Sequence, residues 1–286
     1  MANLKEIRIR ITSIGSTMKI TSAMKMVSAA KLKKAQDAIV QMRPYSNKLS
    51  ELLQNLSSTL DMDDGGAFTE ERKIEKVLIV AITSNRGLCG GFNSNVIKEV
   101  KHIVDSKYTG KKVSLLTIGK KGNDILKKNF DIYKNESEVY DDLNFGNVAV
   151  IAEDLMKQFE EGAYDRIELV YNRFKNAATQ ILTEEQFLPI VPADSESVTS
   201  ADYIFEPNKA DIVEGLIPKS LKMQLYKAVR DSFAAEHGAR MTAMHKATDN
   251  ATELRDDLLL IYNKARQASI TNEILEIVGG AEALNN

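Results

Sequence analysis

Cysteine is nearly absent from this sequence. Cys89 stands alone among 286 residues, so no internal disulfide can form and nothing asks for an oxidising compartment. Tryptophan is missing altogether, and only three histidines occur, His102, His237 and His245. They share no metal-ligand spacing with carboxylates or with Cys89, so neither a metal site nor a Cys-His nucleophile is expected. Long hydrophobic runs are missing too: the longest, Val77 to Ile82, falls far short of the roughly 20 residues that cross a bilayer, and the start carries no apolar signal core. Membrane association is therefore expected to run through a partner rather than by direct insertion. Proline is scarce, with Pro44, Pro189, Pro192, Pro207 and Pro218 as the full set. Residues 1–43 and 219–286 are thus free of the residue that most reliably breaks helices.

What is present is unevenly spread. The net charge is -2, yet the first fifty residues hold ten bases (Lys5, Arg8, Arg10, Lys19, Lys25, Lys31, Lys33, Lys34, Arg43 and Lys48) against Glu6 and Asp37. So large a local excess predicts an acidic partner, which by charge alone could be a protein surface, an anionic membrane surface or nucleic acid. With no tryptophan and no broad apolar face opposite the charges, insertion into a membrane surface is disfavoured.

Both ends read as long helices. Small or apolar residues recur at Val229, Ser232, Ala239, Ala243, Ala247, Ala251, Leu254, Leu258, Ile261, Ala265, Ala268 and Leu275, close to the spacing of one helical face. A helix from about 219 to 283 would be on the order of 95 Å long at about 1.5 Å per residue. Leu4, Ile7, Ile11, Ile14 and Met18 form a matching stripe near the start. Two complementary stripes predict a coiled coil. Antiparallel register pairs Leu4 with Ile261, Ile7 with Leu258, Ile11 with Leu254, Ile14 with Ala251 and Met18 with Ala247, which leaves the chain beyond about Tyr262 without a partner helix.

Between the helices the pattern changes. KVLIVAIT (76–83), KKVSLLTIG (111–119) and RIELVYNRF (166–174) read as buried strands, with helical stretches near 95–105, 122–128 and 148–161. That alternation predicts a parallel, Rossmann-like sheet, closed by an antiparallel edge strand within ATQILTEEQFLPI. Residues 61–75 and 193–208 read as linkers. The expected organisation is α/β: an N-terminal coiled-coil helix (1–60), an inserted α/β domain (76–192) and a C-terminal coiled-coil helix (208–286), a globular knob on a rod.

SNRGLCGGFN (84–93) follows a strand and precedes a helix, where phosphate-binding loops sit. It lacks the lysine and hydroxyl pair of a P-loop, and Gly87, Gly90 and Gly91 fail the GxGxxG spacing. A structural turn with a buried thiol is the expected role, and no cofactor or catalytic residue is assigned.

Three segments carry a resemblance. KEIRIRITSIGSTMKITSAMKMVSAAKLKKAQ, TSNRGLCGGFN and ARMTAMHKATDNATELRDDLLLIYNKARQASITNEILEIVGGAEAL resemble, in that order, the signatures of the ATP synthase gamma family. The resemblance implies a noncatalytic rotor: paired helices inside a ring of three alpha and three beta subunits, the α/β knob on a membrane-embedded c ring beside epsilon, and proton flow coupled to ATP synthesis on beta. It places such a chain at the cytoplasmic face of a bacterial membrane, as a peripheral subunit. By the same motifs Met24 and Lys25 are expected near an acidic loop of beta and Arg240, Arg266 and Gln267 against the inner loops of the beta ring, and Lys31, Lys33 and Lys34 of the basic flank are expected to bind the alpha and beta ring as well. Lys25 stands where many relatives carry an acid, and the cysteine pair of chloroplast members is absent. The rival readings are a nucleotide-binding enzyme using the Gly87–Gly91 turn, and a coiled-coil adaptor for an acidic partner or nucleic acid.

Overall fold

The computed structural model describes residues 4–57, 68–70, 72–190 and 209–284. The expected linker at 193–208 and most of the one at 61–75 lie outside the described residues. Two compact units emerge, residues 29–240 and residues 1–28 with 241–286, so both terminal helices belong partly to each unit.

In the larger unit, five strands form one sheet: β1 (Lys76–Ile82), β2 (Lys112–Ile118), β3 (Asp131–Asn135), β4 (Arg166–Phe174) and β5 (Gln180–Leu188). Their spatial order is β3-β2-β1-β4-β5, with β5 alone antiparallel. The run in β1 is apolar on every inward position because both faces are covered. Leu78, Val80 and Ile82 enter one core with α4 (Phe145–Glu160) and the buried stripe Ile217, Leu221, Leu225, Ala228 and Val229 of α5 (Lys209–Leu284). Val77, Ile79 and Ala81 enter the other, with Val96, Ile97, Val100 and Ile103 of α2 (Phe92–Ser106) and Leu126 of α3 (Lys120–Leu126). Alternation of side chains across a strand thus makes one sequence run serve two cores. The start of α4 is fixed by Asn144, whose side chain accepts from the Asn147 amide at 2.8 Å.

The strands expected at 76–83, 111–119 and 166–174 and the antiparallel edge strand are present, whereas β3 was not foreseen. Its five residues DIYKN alternate little and are largely exposed, so no apolar run marks them. Proline lies inside both long helices. The helix α1 (Leu4–Ser57) passes through Pro44, and α5, which begins ten residues before the proline-free stretch at 219–286, passes through Pro218. An interior proline forfeits a hydrogen bond at about 3 kcal/mol. Burial of Ile217 and Leu221 against the sheet, each 5% exposed or less, offsets that cost around Pro218.

In the smaller unit, the segments of α1 and α5 run antiparallel. Thr21 and Thr248 share a side-chain hydrogen bond at 2.8 Å, and the Thr252 hydroxyl reaches the Met18 sulfur at 3.1 Å. The direction matches the expectation but the register is corrected by about one helical turn: Met18 meets Thr252 rather than Ala247. Leu254 is consequently exposed at 51% instead of seated in the seam. Alanine and threonine stripes fit almost equally well one turn apart, and the threonine hydroxyls select between the two by pairing. From about residue 270 onward α5 stays helical while its described residues are exposed, Ile274, Leu275, Ile277 and Val278 by 55–71%.

Candidate partner-binding surface and the glycine-rich loop

The glycine-rich loop at the carboxyl end of β1 occupies the position where doubly wound sheets bind ligands, next to the point at which strand order reverses between β1 and β4. Here its hydrogen bonds are used internally. The Ser84 amide donates to Asn93 Oδ1 at 2.9 Å, the Ser84 hydroxyl donates to the Arg86 carbonyl at 2.6 Å, and Asn93 Nδ2 donates to the Cys89 sulfur at 3.3 Å. Leu88 and Gly90 take left-handed conformations, with φ of 63° and 60°. Cys89 is 2% exposed, and burial pushes its thiol up, away from the thiolate a nucleophile needs.

The space beside this loop is filled by α5. Cys89 and Phe92 form a small apolar cluster with Ala235 and Ala239, against which Phe174 packs. The helix comes close because Gly238 faces the β4–β5 hairpin: a Cβ there would lie 3.2 Å from both the Cα and the carbonyl oxygen of Ala177. Arg240 then locks the contact. Its guanidinium donates to the carbonyls of Gly87 and Arg86, the latter at 3.2 Å, and pairs with Glu236 at 2.5 Å. Arg240 is 7% exposed and Glu236 8%. Burial raises the Glu236 carboxyl, while Arg240 and then Lys31 pull it back. His237 packs edge-on against Phe233 at 4.5 Å, and burial, with Lys31 and Arg240 nearby, holds its imidazole down at about 4.

Arg240, expected by resemblance against a partner ring, forms within this chain a pin between α5 and the loop. Glu236, the partner that sequence reading passed over, was signalled by its i,i+4 spacing to Arg240. The other expected contact residues remain available. Lys31, Lys33 and Lys34 are exposed on α1, Arg266 and Gln267 are exposed on α5, and Met24 and Lys25 are half-buried. They form separate patches: in the observed register Met24 lies opposite the region of Met244 and His245, about 30 Å of helix from Arg266. No group of histidines, cysteines and carboxylates able to hold a metal, and no helix long and apolar enough to cross a membrane, occurs among the described residues.

Comparison with known proteins agrees along the whole chain. The family model described as ATP synthase matches residues 3–284. The ATP synthase gamma chain of Christiangramia forsetii is 69% identical, with 100% of both chains covered. That of Flavobacterium psychrophilum is 71% identical over 99% of each. Among solved structures, a chain in the cryo-EM structure of the Euglena gracilis mitochondrial ATP synthase rotor shares the fold with a TM-score of 0.69, at 23% identity, covering 93% of this chain and 98% of that one. A chain in the central stalk and c-ring structure of the Tetrahymena thermophila mitochondrial enzyme gives 0.59 at 26% identity, covering 80% and 99%. With strand order, loop and paired helices in hand, this full-length agreement means that the chain belongs to the ATP synthase gamma chain family.

Proposed function

We propose that the chain is the central rotor shaft of an F-type ATP synthase, coupling proton flow through a membrane c ring to ATP synthesis on beta subunits. The observation that carries this reading is the match of the whole chain, at about 70% identity, to ATP synthase gamma chains. The shaft is noncatalytic. Its one loop in a phosphate-binding position is closed by α5, Cys89 is a buried thiol held protonated, and the nucleotide-binding alternative has no open site at that loop.

The division of labour follows from the chemistry of each surface. Lys31, Lys33 and Lys34 offer an exposed basic face for an acidic surface of beta, with Met24 and Lys25 farther along α1. Arg266 and Gln267 meet the inner loops of a ring of three alpha and three beta subunits, and that ring sheathes the exposed Ile274, Leu275, Ile277 and Val278. Epsilon and the c ring engage the α/β body, and the assembly lies at the cytoplasmic face of a bacterial membrane. In function, the coiled-coil helices of 1–60 and 208–286 act as the shaft and the α/β domain of 76–192 as its foot. Co-expression with alpha and beta tests the reading. The chain is expected to co-purify at one copy per three of each and to hydrolyse no ATP by itself; nucleotide turnover by the isolated chain would overturn it.

A further inference from the structure

The unit of residues 29–240 contains a groove apart from the glycine-rich loop. It has a volume of about 630 Å³ and lies between α1, the β4–β5 hairpin and α5. Its floor is apolar, from Ile39 (4% exposed), Phe174 and Ile181, while Arg173, Lys175 and Lys227 stand at its edges. These three cations come from two different elements, and among the described residues none of them makes an ion pair or a side-chain hydrogen bond. The carboxylate among the described lining residues, Asp231, is 7% exposed and already engaged. The hairpin wall is held firmly, since Gly238 of α5 packs directly on Ala177 and Phe174. The groove is thus preformed, apolar at its base and positive at its rim.

We infer that this groove docks an acidic amphipathic helical segment of another subunit, with apolar side chains on Phe174 and Ile181 and carboxylates against Arg173, Lys175 and Lys227. Charge complementarity selects this occupant: an apolar floor alone would accept any hydrophobic segment, whereas three unpaired cations reject a basic or neutral one. An amphipathic helix supplies both features on one face, with anchors at i, i+3 and i+4. The inference rests on reading the chain as a subunit of a larger complex, but the site can be tested without that complex.

The test places a photo-cross-linking p-benzoylphenylalanine at Met42, a groove-lining position, in the full-length chain. The probe is a synthetic helical peptide carrying leucine at i, i+3 and i+4 and glutamate beside them, with a lysine-for-glutamate counterpart as control. The acidic peptide should cross-link, and the combined R173E, K175E and K227E variant should lower the yield about tenfold or more, with the loss growing as salt is removed. Should the triple variant fold poorly, the exposed single change Lys175→Glu, checked for an unchanged melting curve, reads the same effect at smaller size. In the purified complex the same cross-linker should capture a segment rich in glutamate and aspartate. Equal labelling by both peptides, labelling untouched by charge reversal, full protection by pyrophosphate alone, or capture of a basic segment in the complex would each overturn the inference. Failure of the complex to assemble would instead count against the subunit reading, while the peptide experiment still decides the groove.

Discussion

In the unit of residues 29–240, Leu78, Leu116, Leu155 and Phe159 are fully buried, and each sheet face closes on helices of the same chain. In the unit of residues 1–28 with 241–286 threonine, alanine and methionine fill much of the seam, and among its described residues only Ile7, Ser28 and Met244 are 7% exposed or less. The first unit has the leucine- and isoleucine-rich interior that stabilises a domain by itself. The second buries little apolar area per residue, and an isolated helix gains most of its stability from packing that is missing here. One unit closes its core with its own side chains, whereas the other leaves Ile274, Leu275, Ile277 and Val278 uncovered.

The sharpest way to break that comparison is to remove apolar volume from each unit in turn. Leu155→Ala in the body is expected to cost about 2–5 kcal/mol in urea unfolding, because it leaves a cavity in a closed core. Ile274→Ala in the helical unit, at 55% exposure, should stay within about 0.5 kcal/mol in the free chain. Comparable losses at the two sites would erase the distinction.

Arg240 sharpens the point at the edge of the body. Arg240→Ala strands the buried Glu236 carboxylate and the Arg86 and Gly87 carbonyls, and a loss of about 3 kcal/mol is expected, visible as faster hydrogen exchange in the 84–93 loop. Arg240→Lys should restore only part of it, since a single ammonium cannot reproduce the forked contacts.

The same corner gives the body a pH dependence. His237 is held at about 4, below its ordinary 6.5, by burial first and by Lys31 and Arg240 second. The unfolded chain binds this proton as pH falls through 6.5 and the fold does not, so stability drops between pH 6.5 and about 4, by up to about 3 kcal/mol. Glu236 acts in the opposite sense, because its raised carboxyl takes up a proton more readily in the fold than in the unfolded chain. His237→Phe should therefore flatten the acid limb of a stability-against-pH curve. An unchanged limb would show that the imidazole is not the group responsible.

These sites also show what the sequence could and could not say. The three central strands were legible because residues buried on both faces leave a continuous apolar run, and the long helices because their stripes persist over many turns. Strand β3 was not, since an exposed edge needs no such run. Pro44 and Pro218 sit inside the long helices all the same, because packing can offset the local cost of a proline. Exposure of Lys31, Lys33, Lys34, Arg266 and Gln267 follows from their charge and amide character, whereas the inward turn of Arg240 depends on where Gly87 and Glu236 lie after folding.

The smallest expected effect in energy is the most exact in geometry. With Cys89 replaced by serine, cysteines at Thr21 and Thr248 should oxidise to a disulfide readily, and cysteines at Met18 and Ala247 should not. The reverse pattern would return the seam to the register one turn away.

A shaft must turn within the complex that holds it. The most direct test of that rotation is single-molecule observation of an assembled complex immobilised through alpha or beta, with a probe attached to an exposed site of the α/β body such as Lys120, while ATP is hydrolysed. The account predicts unidirectional rotation of the probe in discrete steps, three per turn. A probe that stays fixed while the same complexes hydrolyse ATP would contradict it.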